Sequence, residues 1–454
     1  MQPFIQPPSG DLEARSPWSV MDEAKEVLIG KSSAPIRGDI IVPGSKSLTN
    51  RALIMAALAE GTTRIEGLLR SDDSYWCIQS LKQLGIAVKV EGDTAMVEGC
   101  GSKWPHVSGE IYVGAAGTVA RFLPAALAAS MEGFWTLTGS KRMSERPIGP
   151  LLKALEEQGA GLTYGGAERC LPFTLQAHGL KGGNVTLPGS TSSQFISGLL
   201  LAAPYAAEPL VLHIEGEVVQ REYVEMTLEM MLTFGISPEV SSDGSVIAVP
   251  KGTYRAQDIQ LEPDVSTCGY FWSLAALTGG RIRTVGIHAD STRQPDIMLL
   301  GVLERMGCTV IKGNGFVEVQ GPERLEGGFE LSMRECSDQT LTVAALAPFA
   351  SGPISLKDVA HIRHHECDRI AVICTELRKL GLTVKEAEDG LTVYPGVPAP
   401  ALLDSHDDHR MAMSLSLIGM MSGDIRISNP GCVSKTCPDY FDRLIGLGLD
   451  VQMR

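Results

Sequence analysis

The sequence predicts an α/β protein of two pseudo-symmetric domains, each built from three βαβαββ units around buried helices. Three observations carry this prediction. The chain has 454 residues, too many for one ordinary core. A helix-end signature recurs six times, and a second signature, a polar cluster running into an Ala/Leu-rich helix, recurs with it.

The helix-end signature is an amphipathic segment closing on a glycine suited to the C′ position, followed by a strand-like run. It reads "LKQLGIAVKV", "LKALEEQGAGLTY", "LEMMLTFGISPEV", "LERMGCTVIK", "LRKLGLTVKE" and "LIGLGLDVQ". The marker glycines are 85, 159, 235, 307, 381 and 448, at gaps of 74, 76, 72, 74 and 67. These gaps exceed the repeats of solenoids, so two domains of three units are the simpler packing. After four of the six, a second strand follows through a Gly/Asp turn, as in "VKVEGDTAMVEG".

The second signature reads "SKSLTNRALIMAALAEG", "AAGTVARFLPAALAASMEG", "STSSQFISGLLLAAPYAAE", "DVSTCGYFWSLAALTGG", "CSDQTLTVAALAPFASG" and "DDHRMAMSLSLIGMMSG". These helices are apolar nearly all round and are expected inside each domain. A buried helix still presents unpaired N–H groups and a partly positive pole at its start. Several such heads facing one space would make an anion site.

The heads differ in chemistry. The first offers Ser45, Lys46, Ser47 and Arg51; the second Gly114, Gly117, Thr118 and Arg121; the third Ser192, Ser193 and Gln194. The fourth offers Asp264 and Ser266, the fifth Asp338, the sixth Asp408, His409 and Arg410, while loops add Arg146, Arg363, Glu366, Arg369 and Lys435. Ser, Thr and Asp are ordinary N-caps. Cations are not, because they oppose the helix dipole. Lys46, Arg51, Arg121 and Arg410 therefore point to an anionic ligand.

Other functions lack support. A net charge of −14 argues against a general nucleic-acid binder. No apolar run approaches the length of a membrane span. "GSKS" is not a phosphate-binding P-loop, and no G-x-G-x-x-G follows a strand. His361, His364, His365 and Cys367 match no standard metal spacing. Ten scattered cysteines without a C-x-x-C pair fit reduced thiols in a cytoplasmic protein. Residues 1–33 lack a secretory h-region and are expected to be a flexible leader, with Met21 as an alternative start.

"PGSKSLTNRAL", "GAAGTVARFL", "ERPIGPLLKAL", "STSSQF", "ECDR", "DDHRMAMSLSL" and "SKTCPDYF" run in order from about residue 35 to 450. Together they resemble the 5-enolpyruvylshikimate-3-phosphate synthases, enolpyruvyl transferases of aromatic amino acid biosynthesis and the target of glyphosate. The resemblance implies an inside-out α/β barrel in each domain and an active site in the interdomain cleft. It implies an N-terminal domain over 45–262 and a C-terminal domain over 34–44 plus 263–454. The implied reaction moves the enolpyruvyl group of phosphoenolpyruvate to the 5-hydroxyl of shikimate-3-phosphate, releasing phosphate, with no metal or cofactor. These two small molecules are the expected partners; nucleic acid and membrane are not, and nothing demands more than a monomer.

Carried over by motif, Asp338 takes the hydroxyl proton, with Glu366 and Lys46 as candidates to protonate the methylene carbon. Lys46, Gly117, Arg146, Gln194, Arg369, Arg410 and Lys435 would hold phosphoenolpyruvate. Lys46, Ser47, Arg51, Ser192, Ser193, Gln194, Tyr223, Asp338, His361 and His365 would hold shikimate-3-phosphate. Several positions depart from the commonest family pattern. Ala115 stands for Asn, Phe122 for Pro and Gln220 for Ser, while His361 and His365 stand for Asn and Lys. A histidine that replaces a phosphate-binding lysine loses its charge above about pH 6.5, so acceptor affinity is expected to fall as pH rises. The alternatives are a carboxyvinyltransferase for another anionic acceptor and a non-catalytic anion binder. The related UDP-N-acetylglucosamine enzyme carries a loop cysteine where Lys141 stands here.

Overall fold

The buried helices form as the apolar pattern requires, and they place the polar heads. The computed structural model describes residues 12–21 and 23–454, which divide into two compact units, Pro43–Glu262 and Met1–Val42 with Pro263–Arg454. We call these the N-terminal and C-terminal domains. Among the described residues no helix is long and apolar enough to cross a membrane.

The N-terminal domain is built on three helices, α1 (Lys46–Leu58), α2 (Gly117–Ala128) and α3 (Ser193–Ala202). Every residue of α2 is buried, and α1 is buried from Thr49 to its end. Three separate four-stranded sheets accompany them. The middle sheet shows the plan. Strand Ser108–Tyr112 runs parallel to Gly133–Thr138 after the crossover through α2. A hairpin, Gly161–Tyr164 and Phe173–Ala177, then adds two antiparallel strands. Alternation along Phe173–Ala177 puts one face of the strand inward and the other toward solvent. In the first sheet the parallel partner of Glu60–Glu66 is Asp258–Gln260, from the far end of the same domain.

The C-terminal domain repeats this plan on α4 (Val265–Thr278), α5 (Thr340–Leu346) and α6 (His409–Ser422). Its first sheet takes Arg37–Ile40 as the parallel partner of Arg281–Val285. Its last sheet departs from expectation. Only one strand, Val451–Met453, follows the sixth helix-end signature, and the missing hairpin strand is Glu26–Ile29. That strand lies antiparallel to both Ile425–Ser428 and Val451–Met453.

The expectation of a flexible leader over 1–33 is therefore corrected for its second half. Val27 and Ile29 are fully buried, and a short turn forms at Leu12–Ala14. Residues 1–11 and 22 of the expected leader lie outside the described residues. The Pro/Ser-rich start masked a four-residue strand whose partners lie some four hundred positions away, beyond any local pattern.

Replacing Ile29 by Ala should cost the fold about 2–5 kcal/mol, the usual range for truncating a buried aliphatic side chain. Urea unfolding followed by circular dichroism measures it; a loss below about 0.5 kcal/mol would show that this strand contributes little.

Candidate active site

In the C-terminal domain the charged side chains gather where the helices begin. Asp338 lies in a short turn, Ser337–Gln339, that runs directly into α5. Its Oδ1 accepts a hydrogen bond from Arg369 Nη1 at 3.0 Å, and its Oδ2 one from Arg410 Nη2 at 2.9 Å. Arg410, in the first turn of α6, also reaches Ser266 Oγ in the first turn of α4, at 3.4 Å. These bonds bring the heads of all three helices together.

Arg369 is the centre of the cluster and is 2 % exposed. Beyond Asp338, it donates to Asp408 Oδ2 at 2.7 Å and to Glu366 Oε2 at 2.9 Å. Asp408 is also the N-cap of α6, accepting from the Arg410 amide at 2.9 Å. Lys435 Nζ lies 3.2 Å from Glu366 Oε1. Burial opposes the Arg369 charge, but Asp408, Glu366 and Asp338 outweigh it and hold the guanidinium firmly protonated. Beside them Ser266 donates to the buried Asp296 carboxylate. Burial, opposed by Arg410 and reinforced by Asp338, pushes the Asp296 carboxyl up to about 6.

In the N-terminal domain the heads of α1, α2 and α3 are likewise tied together. Asn50 Nδ2 donates to Thr118 Oγ1 at 2.6 Å, joining α1 to the start of α2. Arg51, 1 % exposed, donates to Ser197 Oγ of α3 at 3.1 Å and Thr227 Oγ1 at 2.8 Å. It also donates to the carbonyls of Tyr223 at 2.9 Å and Ser47 at 3.0 Å. Its guanidinium sits 5.0 Å from the Phe122 ring centroid. None of these partners is a carboxylate, and burial lowers the Arg51 pKa to about 10, which leaves it charged near neutral pH. Lys46 Nζ lies 3.7 Å from the buried Asp73.

Gly117 opens α2, whose N-cap Ala116 provides no side-chain oxygen. A Cβ on Gly117 would stand 3.1 Å from Arg146 Nη1 and 3.2 Å from Arg121 Nη1, so two guanidinium groups border this uncapped helix start. Gly114, in the turn before it, has φ +58 and lies against Trp76 too closely for any side chain. Ser192 caps α3, accepting from the Gln194 amide at 3.2 Å, with Ser193 and Gln194 in the first turn.

The family described as EPSP synthase (3-phosphoshikimate 1-carboxyvinyltransferase) matches residues 31–444. The chain belongs to the EPSP synthase family. A 3-phosphoshikimate 1-carboxyvinyltransferase 2 of Halalkalibacterium halodurans is 52% identical over 443 residues, covering 97% of this chain and 98% of that protein. A 3-phosphoshikimate 1-carboxyvinyltransferase of Nostoc punctiforme is 41% identical over 411 residues, covering 90% of this chain and 96% of that protein. Among solved structures, EPSP synthase from Acinetobacter baumannii has a TM-score of 0.80 at 25% identity, covering 95% of this chain and 100% of that one.

Set beside the EPSP synthase pattern, the residues proposed from the motifs fall into two groups. Asp338, Glu366, Arg369, Arg410 and Lys435 form one continuous network in the C-terminal domain, with His361 and His365 at its edge. Lys46, Ser47, Arg51, Gly117, Arg146, Ser192, Ser193, Gln194 and Tyr223 all belong to the N-terminal domain, most of them at its helix heads. The protein itself supplies an anion to two of the head cations, Asp73 to Lys46 and Asp338 to Arg410. Arg51 instead donates to hydroxyls and carbonyls of its own domain.

The histidines also behave differently from expectation. His365 Nδ1 lies 2.9 Å from Arg369 Nη1, and a guanidinium only donates, so this nitrogen accepts and the ring is neutral. His361 Nε2 lies 2.8 Å from Ser337 Oγ. Burial first of all, with Arg369 and Arg334 adding and Asp338 opposing, lowers its pKa to about 4. His361 is therefore disfavoured as a lysine-like cation. Of the other departures, Phe122 supports Arg51, and Gln220 takes a left-handed conformation at φ +52. Motif reasoning missed Asp296 beside the C-terminal cluster and Asp73 beside Lys46, and it read Asp408 only as a cap. Each looks like an ordinary helix-start acid until the fold sets a cation against it.

Two predictions follow from this geometry. Gly117→Ala should shift the bordering guanidinium groups by a few tenths of an ångström and raise KM for phosphoenolpyruvate several-fold with an unchanged Tm; an unchanged KM would show that neither group touches that substrate. For His361, the unfolded chain takes up a proton near the ordinary value of about 6.5 and the folded chain only near 4. Its contribution to stability is complete above about pH 6.5 and is lost as pH falls toward 4. His361→Asn should flatten that part of the stability–pH curve, and parallel curves for the two proteins would refute the shift.

Proposed function

We propose the following division of labour for the family reaction, transfer of the enolpyruvyl group of phosphoenolpyruvate to the 5-hydroxyl of shikimate-3-phosphate. Arg369, Arg410 and Lys435, with Lys46, Gly117, Arg146 and Gln194, hold phosphoenolpyruvate. Lys46, Ser47, Ser192, Ser193, Gln194, Tyr223 and Asp338 hold shikimate-3-phosphate. Arg51 adds uncompensated positive charge, and His361 and His365 contribute neutral donors.

The 5-hydroxyl oxygen attacks C2 of phosphoenolpyruvate while Asp338 takes the hydroxyl proton. Glu366 or Lys46 delivers a proton to the C3 methylene, giving a tetrahedral intermediate. Loss of a C3 proton then expels phosphate from C2 and restores the double bond in the product. Fixed cations stabilise the charge that develops on the leaving phosphate.

The observation that carries this proposal is the pair of guanidinium groups on Asp338, one on each carboxylate oxygen. Two cations make Asp338 a poor base. A substrate carboxylate or phosphate that takes over Arg369 and Arg410 would remove that restraint and raise its proton affinity. Binding of the donor would thus prime the base for the acceptor hydroxyl. Ten free cysteines favour the reducing cytoplasm.

A phosphate-release assay with both substrates should show turnover, and silence across pH 6–8 would overturn the proposal. Asp338→Asn keeps one acceptor oxygen of the two and removes the base; kcat should fall about 10²–10⁴-fold, the usual worth of a general base. Calorimetric binding of shikimate-3-phosphate should survive in that variant. Full turnover by Asp338→Asn would assign the base elsewhere.

A further inference from the structure

Arg15 lies before the stretch that matches the EPSP synthase family and has no part in the reaction described so far. Its side chain is nevertheless only 9% exposed. Nη2 lies 2.6 Å from Asp407 Oδ1 and 3.3 Å from Asn429 Oδ1, and Nη1 lies 3.1 Å from Ser434 Oγ. The flanking Ala14 and Met21 are buried, Met21 within the core of the C-terminal domain. Farther along, the Lys25 carbonyl accepts from the Asn429 amide at 2.9 Å, so the segment is held at both ends.

The positions of these partners give Arg15 its meaning. Asp407 immediately precedes Asp408, which caps α6 and grips Arg369. Ser434 immediately precedes Lys435, which pairs with Glu366. One planar guanidinium therefore joins the two loops that deliver these groups, a span that suits the rigid fork of arginine.

The Asp407 loop also needs support. His406 and Asp407 hold consecutive left-handed conformations, φ +51 and +55, and neither is glycine. Such backbone is unfavourable and persists only where its surroundings over-determine it. His406 Nε2 is 2.9 Å from Glu376 Oε1, and Asn429 Nδ2 donates to Asp407 Oδ1 at 2.9 Å. Arg15 adds the charged clamp on the outer side of the same turn.

We propose that Arg15 is a positioning residue for phosphoenolpyruvate binding: it locks the Asp407 and Ser434 loops so that Arg369 and Lys435 stand in register. This rests on the placement of phosphoenolpyruvate on those two cations. Arg15 touches no reacting atom and acts through Asp407 and Ser434.

The test compares full-length wild type, Arg15→Ala, Arg15→Lys, Asp407→Asn and the Arg15→Ala/Asp407→Asn double variant by phosphate release, with Tm measured for each. Arg15→Ala should raise KM for phosphoenolpyruvate roughly ten- to a hundredfold, the scale of a small misplacement of binding groups, and leave KM for shikimate-3-phosphate within about twofold. The double variant should be no worse than the poorer single one, because the two residues act as one contact. Arg15→Lys should recover part of the loss, since an ammonium keeps the charge without the fork; if Arg15→Ala does not fold, Arg15→Lys should still show a several-fold rise for phosphoenolpyruvate alone. An unchanged KM for phosphoenolpyruvate, an equal rise for both substrates, or a lower Tm with normal kinetics would overturn the role of Arg15. A wild type without turnover would instead overturn the assignment of the reaction itself.

Discussion

A guanidinium removed from water must have its donors met by acceptors inside the protein, and Arg369 is almost wholly removed from it. Three carboxylates answer it, and each comes from a different place: Asp338 before α5, Glu366 before the Arg369 helix, and Asp408 at the cap of α6. Taking away one partner of such a buried pair costs about 3–5 kcal/mol. The need to satisfy one cation therefore sets the relative positions of three segments. Arg410 and Lys435 share two of the same carboxylates, so the cluster is organised before any substrate arrives.

The N-terminal domain solves the same problem differently. Arg51 is as deeply buried, but its hydrogen-bond partners are two hydroxyls and two carbonyls, with an aromatic ring nearby. Its charge is satisfied in geometry and left uncancelled in sign. One domain thus offers a balanced ionic network, and the other a positive pole reinforced by helix starts. A single architectural plan yields both because a helix buried on all sides varies freely only at its end.

That plan was visible in the sequence because apolar periodicity and C′ glycines are local. "LKQLG" and "LRKLG" mark helix ends wherever they stand. The polar heads were visible for the same reason, and so was Arg410 as a cation that a cap does not need, while Asp338, Arg369 and Lys435 took their roles from the motifs shared with the family. What local pattern cannot carry is pairing across the chain. Nothing in "EVLI" says that its strand completes a sheet with residues 425–428 and 451–453. Nothing near Arg51 shows that Ser197 and Thr227 will receive its protons. The charge state of His361 was out of reach because it depends first on burial, which only the fold decides. Arg15 carried no signal, standing in a segment whose composition resembles a tail.

The last sheet of the C-terminal domain has a consequence for how the protein is made. Its strand Glu26–Ile29 emerges before the N-terminal domain, while its partner Val451–Met453 emerges after it. The N-terminal domain, continuous from 43 to 262, has all its strands once its own last residues have appeared. The C-terminal domain has residues on both sides of it, so its final sheet waits until residues 451–453 have appeared. Domains generally fold as units during synthesis, and here the order of assembly is written into the connectivity. The inserted domain therefore has all its strands before the enclosing domain can close its last sheet.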